Sequence, residues 1–238
     1  MPNDYFQFQQ FRVQQGKAAM KVCTDACIFG AWLAREWRGA DGLLLDIGTG
    51  TGLLSLQVAQ ETQCRIEAIE IEMSAYQQAD ENFKASLWAN RIRALKGDIR
   101  SFEPEYLYDF VISNPPFYEN DLVSDNAKRN LALHSSELTL ESLIFGMNKL
   151  LQPGGKWALL LPARRRNPAI ENAEKNGWKL IKECMIRNQP SSKPFRHCLL
   201  FSRNVVNETE REDVYIKDNG VYSDWMQQLL QPYYLAFT

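Results

Sequence analysis

Short apolar runs alternate with amphipathic segments along most of this chain, and that alternation restricts its fold more than any other feature. Five runs have the composition of buried strands, and the segments between them space their apolar residues as helices do. The runs are residues 42–47, 65–71, 92–96, 108–113 and 156–161, and the helical segments are residues 53–60, 74–89, 142–151 and 167–176. The pattern predicts an α/β fold, with a mostly parallel twisted sheet covered by helices on both faces. Residues 178–186 and 197–202 are expected to complete the sheet, with one antiparallel closing strand.

The length of 238 residues suits one domain with short additions at both ends. We expect an N-terminal cap at residues 1–40, a core at residues 41–203 and a C-terminal extension at residues 204–238. Within the cap, Thr24 and Asp25 are predicted to cap a helix of residues 26–36. The extension combines acids with an aromatic stretch to which the sequence assigns no role.

The composition argues against a membrane protein and against a metal site. No apolar run approaches the roughly 20 residues that span a bilayer, and the N-terminus has no apolar signal-peptide core. The five cysteines and two histidines are scattered, without the spacing of metal ligands. We therefore expect reduced thiols in a cytoplasmic protein with no bound metal, and we take a monomer as the starting expectation.

The net charge is only −2, yet charge is distributed very unevenly along the chain. Residues 164–203 contain ten Lys and Arg against three acids, so this basic segment carries +7 and the rest of the chain −9. Such asymmetry is typical of a surface that meets a polyanion. A set of solvated helix and strand faces would give the same pattern.

The strongest local signal is the sequence DIGTGTG at residues 46–52, which follows the first strand and opens the next helix. Glycine suits a position where the chain turns sharply and a ligand approaches the backbone. The GxGxG spacing differs from the GxGxxG of dinucleotide-binding enzymes. An acid beside the loop disfavours a pyrophosphate and suits a cationic ligand, such as the sulfonium and ammonium groups of S-adenosylmethionine. We therefore expect Asp46, Gly48 and Gly50 to bind that cofactor.

Two further acids stand at the ends of the next two strands. Glu70, 22 residues beyond Gly48, is placed to accept hydrogen bonds from both hydroxyls of a ribose. Asp98 follows the third strand, where its carboxylate can accept from an adenine amino group while Ile99 packs on the ring. Because ligands of open α/β sheets bind at the carboxyl ends of the strands, the three signals together predict a nucleoside site.

The fourth strand ends in the motif NPPF, at residues 114–117. An adenine amino nitrogen is conjugated with its ring and is a poor nucleophile, so an enzyme that alkylates it must draw the lone pair out of conjugation. The Asn114 carbonyl and a backbone carbonyl held by Pro115 can both accept from the amino group and orient its lone pair. Phe117 can stack on the base. No strong base is needed, because the amine can lose its proton after the transfer.

Together, the motifs DIGTGTG, Glu70, GDI and NPPF resemble the Rossmann-like class I S-adenosylmethionine methyltransferases that act on amino groups. Three flanking segments narrow this resemblance: FQFQQFRVQQGKAAMKVCTDACIFGAWL, RNLALHSSELTLESL and YIKDNGVYSDWMQQLLQPYYL. They are similar to one bacterial family, the tRNA (adenine-N6)-methyltransferases that modify the adenine next to the anticodon of a valine tRNA. The resemblance covers nearly the whole chain. It implies methyl transfer to the N6 amino group of adenine 37 in tRNA.

The resemblance also implies roles for single residues. Lys21, Thr24 and Asp25 would lie over the methionine part of the cofactor. NPPF replaces the more frequent NPPY, so any role of a tyrosine hydroxyl is absent here. With tRNA as the substrate, we predict that five side chains of the basic segment contact RNA phosphates: Arg164, Arg165, Arg166, Lys193 and Arg196.

The motif defines the chemistry better than it defines the substrate. NPPY and NPPF also occur in guanine-N2 methyltransferases, including those acting on rRNA, and in protein glutamine methyltransferases. The glutamine enzymes would carry a substantial N-terminal helical domain, whereas only about 40 residues precede the glycine loop here. An intact Asn114 argues against a non-catalytic cofactor-binding or RNA-binding module. The GxGxG spacing argues against a nicotinamide oxidoreductase.

Overall fold

The computed structural model of the chain describes residues 3–18, 20–115, 138–204 and 207–237. Its helices are α1 (Thr24–Glu36), α2 (Leu53–Glu61), α3 (Met73–Lys84), α4 (Leu140–Leu150), α5 (Arg166–Lys175) and α6 (Asp224–Leu230). Its strands are β1 (Tyr5–Gln7), β2 (Arg12–Gln14), β3 (Leu43–Ile47), β4 (Arg65–Glu70), β5 (Ile92–Lys96), β6 (Tyr108–Ser113), β7 (Leu151–Pro162), β8 (Lys179–Arg187), β9 (Arg196–Ser202), β10 (Glu210–Tyr215), β11 (Lys217–Asp218) and β12 (Val221–Tyr222). Among these residues, no helix combines the length and the apolar character needed to cross a membrane.

Eight strands form the central sheet, in the order β10–β8–β9–β7–β6–β3–β4–β5. Neighbours are parallel except around β9, which runs antiparallel to both β7 and β8. The predicted mostly parallel sheet with an antiparallel closing strand is therefore confirmed. Because these strands share one direction, their carboxyl ends lie along one edge, which we call the carboxyl edge. The first residue of β9 lies at this edge as well.

Successive residues of the central strands alternate between two hydrophobic cores. In β3, Leu44 packs with the N-terminal hairpin and with α1, α2, α3 and α6, whereas Leu45 packs with α4 and α5. Ala158 and Leu159 divide in the same way in β7. Because both faces of these strands are covered, their side chains are apolar on both sides, and burial of that surface holds the sheet between its helices.

Most element boundaries agree with the sequence pattern, and β5 and β6 have the predicted bounds. The helix predicted at residues 74–89 ends at Lys84 instead. The predicted end of α4 before Pro153 is confirmed, because the helix ends at Leu150, but the predicted start of the next strand at Lys156 is wrong. The chain passes directly from α4 into β7, and Gly154 with its φ of 85° lies inside that strand. The pairing of β7 with β6 shifts register here, so the glycines serve an irregular strand rather than a turn.

The predicted helix cap at Thr24 and Asp25 is also wrong. Helix α1 begins at Thr24, and Cys23 occupies the N-cap position without a side-chain cap bond. Asp25 lies in the first turn, where its Oδ2 accepts a hydrogen bond of 2.7 Å from Arg196 Nε. The Asp25 carboxylate, which local spacing assigned to the helix terminus, thus binds Arg196, a residue 171 positions away in the chain.

Both ends of the chain form structure where the sequence predicts no element. Strands β1 and β2 form an antiparallel hairpin, and β10 adds a parallel edge strand beside β8. The main-chain N–H of Gln9 donates to the Tyr233 carbonyl at 2.8 Å. Its side-chain amide donates to the carbonyls of Gln231 at 2.6 Å and Tyr234 at 2.9 Å. The N-terminal hairpin and the residues after α6 are therefore bound to each other.

Candidate active site

Strand β3 leads into a glycine loop, residues 48–52, at the carboxyl edge. Gly48 and Gly50 have φ angles of 70° and 57°, which side chains rarely tolerate. A Cβ built on either residue would meet no atom within 4 Å, so the space beside the loop is open to a ligand. Gly52 differs, because a Cβ there would collide with the ring of Phe83. Gly48 and Gly50 thus allow the turn and leave room for a ligand beside the backbone, and Gly52 allows the ring of Phe83 to pack closely against the loop.

Glu70, the last residue of β4, braces this loop with its carboxylate. Its Oε2 accepts the Gly50 N–H at 3.0 Å, and its Oε1 accepts the Glu72 N–H at 2.9 Å. A carboxylate offers about four acceptor positions, so lone pairs are left for the hydroxyls of a ligand. The residue predicted to accept from ribose therefore also holds the glycine loop in place.

Asp46 is completely buried one residue before the end of β3. Its Oδ2 accepts from the hydroxyls of Thr49 at 2.7 Å and Ser55 at 2.8 Å, whereas its buried Oδ1 has no hydrogen-bond partner. Burial raises the pKa of Asp46 to about 6 against the opposing effect of the two hydroxyl donors, and the nearby Glu70 carboxylate raises it further. A buried acceptor without a donor is costly, so this side chain calls for a donating or cationic group.

Asp98 lies just beyond β5, and its carboxylate is bound to Arg100. Arg100 Nε lies 3.0 and 2.9 Å from the two carboxylate oxygens, and this hydrogen-bonded pair lowers the pKa of Asp98. The preceding Gly97 donates its N–H to the Glu70 carbonyl at 3.0 Å, which joins the ends of β4 and β5. An adenine amino group at this position would share Asp98 with Arg100. The half-buried Ile99 lines a cavity of about 460 Å³ beside this pair.

Asn114 follows β6 directly at the carboxyl edge and is half-buried, and Pro115 is buried. The residue before them, Ser113, pairs with Ile47 in the sheet and donates its hydroxyl to the Ile47 carbonyl at 2.8 Å. Asn114 therefore emerges from β6 beside the point where the glycine loop emerges from β3. The predicted stacking residue Phe117 lies outside the described residues.

Lys21, Thr24 and Asp25 lie around the start of α1. Lys21 and Thr24 are exposed, and Asp25 is half-buried in its ion pair with Arg196. Thr24 and Asp25 line a second cavity of about 440 Å³, which faces the start of β9. The sequence analysis does not predict this cavity. The sequence feature that points to it is the C-terminal aromatic stretch, because Tyr222 of that stretch forms part of the lining.

The side chains of the basic segment differ in their exposure and in their surroundings. Arg164 and Arg165 form a short 3₁₀ turn after β7, at the carboxyl edge, and Lys193 is exposed in the loop between β8 and β9. Arg196 binds Asp25. The structure thus brings Arg164, Arg165 and Lys193 to the edge that carries Asn114, and it holds the half-buried Arg196 in an ion pair with Asp25.

Arg166 has a structural partner as well. Its Nε and Nη2 donate to the two oxygens of the fully buried Glu183 at 2.5 and 2.7 Å, and His197 Nδ1 lies 2.7 Å from the same carboxylate. Burial alone would raise the pKa of Glu183, but these partners lower it to about 2. The positive charge of Arg166 therefore stabilises a buried carboxylate. In the part of the chain that the structure describes, no group of three or more His, Cys, Asp or Glu side chains is placed to hold a metal ion.

Comparison with known proteins agrees with this geometry. The family model described as methyltransferase small domain matches residues 30–169. The chain is 41% identical to a tRNA1(Val) (adenine(37)-N6)-methyltransferase of Dyadobacter fermentans, with 99% of each chain covered. It is 39% identical to the protein of the same name from Tolumonas auensis, with 98% of each covered. A solved structure from Listeria monocytogenes, described as a class I S-adenosylmethionine-dependent methyltransferase, superposes with a TM-score of 0.60 at 16% identity, covering 92% of this chain and 74% of the other.

Proposed function

This chain belongs to the tRNA1(Val) (adenine(37)-N6)-methyltransferase family, and we propose that it methylates the N6 amino group of adenine 37 in a valine tRNA. The observation that carries the proposal is the pairing of Ser113 with Ile47, which sets Asn114 beside the glycine loop. The named relatives match over nearly their whole length, which favours a tRNA adenine over the guanine and glutamine substrates of other enzymes with this motif.

The residues at the carboxyl edge fit S-adenosylmethionine. The buried Oδ1 of Asp46 calls for a donor or a positive charge, and the cofactor carries an ammonium and a sulfonium. The open approach beside Gly48 and Gly50 admits a ligand to the backbone, and Glu70 has acceptor positions left for ribose hydroxyls. When bound, the cofactor supplies an electrophilic methyl group.

We assign the cofactor to nine residues of the chain. Those at the strand ends would bind the amino acid, ribose and adenine parts in the order in which the strands follow one another, and those at the start of α1 would lie over the methionine part. They are Lys21, Thr24, Asp25, Asp46, Gly48, Gly50, Glu70, Asp98 and Ile99.

Asn114 and Pro115 act on the target base. The Asn114 side-chain carbonyl accepts a hydrogen bond from the adenine amino group, and the Pro115 backbone fixes a second acceptor beside it. The two acceptors turn the nitrogen lone pair out of conjugation and toward the cofactor site. They also stabilise the positive charge that develops on the nitrogen, and that interaction is strongest in the transition state. Phe117 is proposed to stack on the base.

The tRNA approaches along the carboxyl edge in this proposal. A base stacked in the anticodon loop must swing out of its stack to reach Asn114. Arg164, Arg165 and Lys193 contact phosphates on either side of it, whereas Arg166 and Arg196 shape the surface through their carboxylate partners. We place the reaction in the cytoplasm, with the chain acting as a monomer.

The decisive experiment uses an unmodified transcript of the valine tRNA with labelled S-adenosylmethionine. After digestion, we expect the label in N6-methyladenosine. A transcript with adenine 37 changed to guanine is the control, and we expect no label in it. Label in N2-methylguanosine, or equal label in both transcripts, would overturn the proposal.

A further inference from the structure

The cavity of about 440 Å³ at the carboxyl edge lies away from the strand ends assigned to the cofactor, and it shares with that assignment only Thr24 and Asp25. Apart from the first turn of α1, its lining comes from the loop between β8 and β9 and from the segment after β10. Four residues give it a mixed aromatic and amide character: Asn188, Gln189, Phe195 and Tyr222. Its volume lies in the range of small-molecule sites, about 300–1,000 Å³.

The cavity walls are held by hydrogen bonds of the main chain. Phe195 N–H donates to the Ile186 carbonyl at 2.9 Å, and Lys217 N–H donates to the Asn188 carbonyl at 3.0 Å. Gln189 N–H donates to the Ser192 hydroxyl at 2.9 Å, which closes the tip of the loop. The site is therefore formed before any ligand arrives, and binding would not have to order it.

The two rings of the cavity each carry a nearby positive charge. Lys217 Nζ lies 4.6 Å from the centre of the Tyr222 ring, and Arg196 Cζ lies 5.6 Å from the centre of the Phe195 ring. Phe237 packs edge-on against Tyr222 at 5.4 Å between ring centres, which fixes that ring. Rings for stacking, amides for hydrogen bonds to base edges and a cation for a phosphate are the groups that bind nucleotides of single-stranded RNA.

The sheet order places the cavity close to the target base. β9 lies two strands from β6 and β8 lies three, which at about 4.8 Å per strand corresponds to about 10 and 14 Å along the carboxyl edge from Asn114. A nucleotide bound there would be a near neighbour of the methylated adenine on the same RNA strand.

We propose that this cavity binds the base of a second nucleotide of the tRNA, close to adenine 37 in the anticodon loop. The base stacks on Tyr222 or Phe195, the side-chain amides of Asn188 and Gln189 bind its edge, and Lys217 meets its phosphate. This inference rests on the proposed function and adds a site that selects the sequence around the target. Arg196 contributes by holding Asp25 in an ion pair, so the cavity presents no unpaired carboxylate from that residue to the RNA.

The test combines variants of the protein with abasic tRNA. Tyr222→Ala and Asn188→Ala remove a ring and an amide, and Val221→Ala is the matched control because its side chain is 66% exposed and does not line the cavity. We expect Tyr222→Ala to raise the KM for tRNA about tenfold. The Kd for S-adenosylmethionine should not change, and Val221→Ala should match the wild type.

Abasic transcripts, one for each nucleotide around adenine 37, then identify the bound base. For the wild type, one position should raise KM by about the same factor as Tyr222→Ala, and that position should have no further effect in Tyr222→Ala. The Asn188 side chain is exposed, so Asn188→Ala carries little risk to the fold. In this variant, the abasic change at that position should raise KM by less than it does in the wild type. If every position is additive with both variants, the cavity binds no base and the inference is wrong. Methylation of the intact transcript by the wild type tests the reaction itself. A failure of the proposed function can therefore be distinguished from a failure of the proposed base-binding cavity.

Discussion

The Ser113 hydroxyl donates a hydrogen bond of 2.8 Å to the carbonyl oxygen of Ile47. It joins the last residue of β6 to the last residue of β3, one residue before Asn114 on one strand and one residue before Gly48 on the other. Both residues are buried. The position of the proposed catalytic amide relative to the cofactor loop is thus set by a contact inside the sheet.

Removal of this contact should affect turnover more than binding. We expect Ser113→Ala to lower kcat by about tenfold, because a small displacement of a positioned group is costly in rate. The Kd for S-adenosylmethionine should change by less than about twofold, since Ser113 is not among the assigned cofactor contacts. Single-turnover methyl transfer and calorimetry measure the two quantities. Equal losses in both would show that the residue acts by general stability alone.

The second prediction concerns Asn114 itself. Asn114→Ala should lower single-turnover methyl transfer by about 100-fold or more, because the lost acceptor acts mainly in the transition state. The Kd for tRNA, measured by filter binding, should change by less than about tenfold. Full activity of this variant would remove Asn114 from the mechanism.

The third prediction is a pH dependence of cofactor binding. Burial raises the pKa of Asp46 to about 6 in the protein without ligand, and Glu70 is the other carboxylate that faces it. A cationic ligand favours the ionised form, so affinity should rise as the pH increases toward 6 and level off above it. Below that point we expect a loss of up to about tenfold per pH unit. Titration calorimetry between pH 5 and 7 measures this, and binding should be accompanied by proton release.

Asp46→Asn is the control for the pH profile. The amide has the same shape and does not titrate, so binding should be weaker and independent of pH over this interval. The protein alone should show the opposite sign. Because the folded-state pKa lies above the unfolded value near 4, stability without cofactor should fall as the pH rises from about 4 to about 6, and level off above that. A pH profile of Asp46→Asn that still bends near 6 would assign the titration to another group.

The fourth prediction separates the two roles of Glu70. Glu70→Ala loses both the ribose acceptor and the brace on Gly50, and should weaken cofactor binding by about 1–3 kcal/mol. Glu70→Gln keeps one carbonyl acceptor and should lose less. Glu81→Ala is the matched control, because Glu81 is about half exposed on α3 and pairs with Lys17. A Glu81→Ala loss as large as that of Glu70→Ala would show a general effect of charge.

The fifth prediction concerns the exposed Arg164, which follows β7. Arg164→Ala should reduce the slope of log affinity for tRNA against log salt by about one unit, as expected for one lost phosphate contact. Arg65→Ala is the matched control, because this exposed arginine begins β4 at the opposite edge of the sheet. Equal slopes for the wild type and Arg164→Ala would show that Arg164 contacts no phosphate of the tRNA.

The strand ends that carry the site could be predicted from the sequence because they combine two local signals. An apolar run defines each strand, and a glycine, acid or amide at its carboxyl end marks the point where the ligand approaches. Asp46, Glu70 and Asn114 all stand at such points, and the structure places them along one edge. Parallel strands force this arrangement, so local pattern was enough.

The edge strand β10 shows where local pattern fails. Its sequence EREDVY is rich in charge and lacks the apolar alternation of a strand. It is held beside β8 partly by Lys182, whose Nζ lies 3.1 Å from Glu210 and 3.5 Å from Glu212. Arg166 and Asp25 were misleading for the same reason, since each has a carboxylate or guanidinium partner far away in the sequence. Such pairs are formed by the tertiary structure and leave no periodic signal.

The hydrogen bonds between Gln9 and residues 231–234 have a consequence for biosynthesis. The ribosome makes Gln9 222 residues before Gln231 and 225 residues before Tyr234, so the hairpin in front of the sheet must wait for residues 231–234 before it can dock. A nascent chain can assemble the strands around the glycine loop while its N-terminal hairpin is still unattached. Docking of the hairpin is therefore coupled to synthesis of residues 231–234, and a chain released before them would carry the glycine loop without an attached N-terminal hairpin.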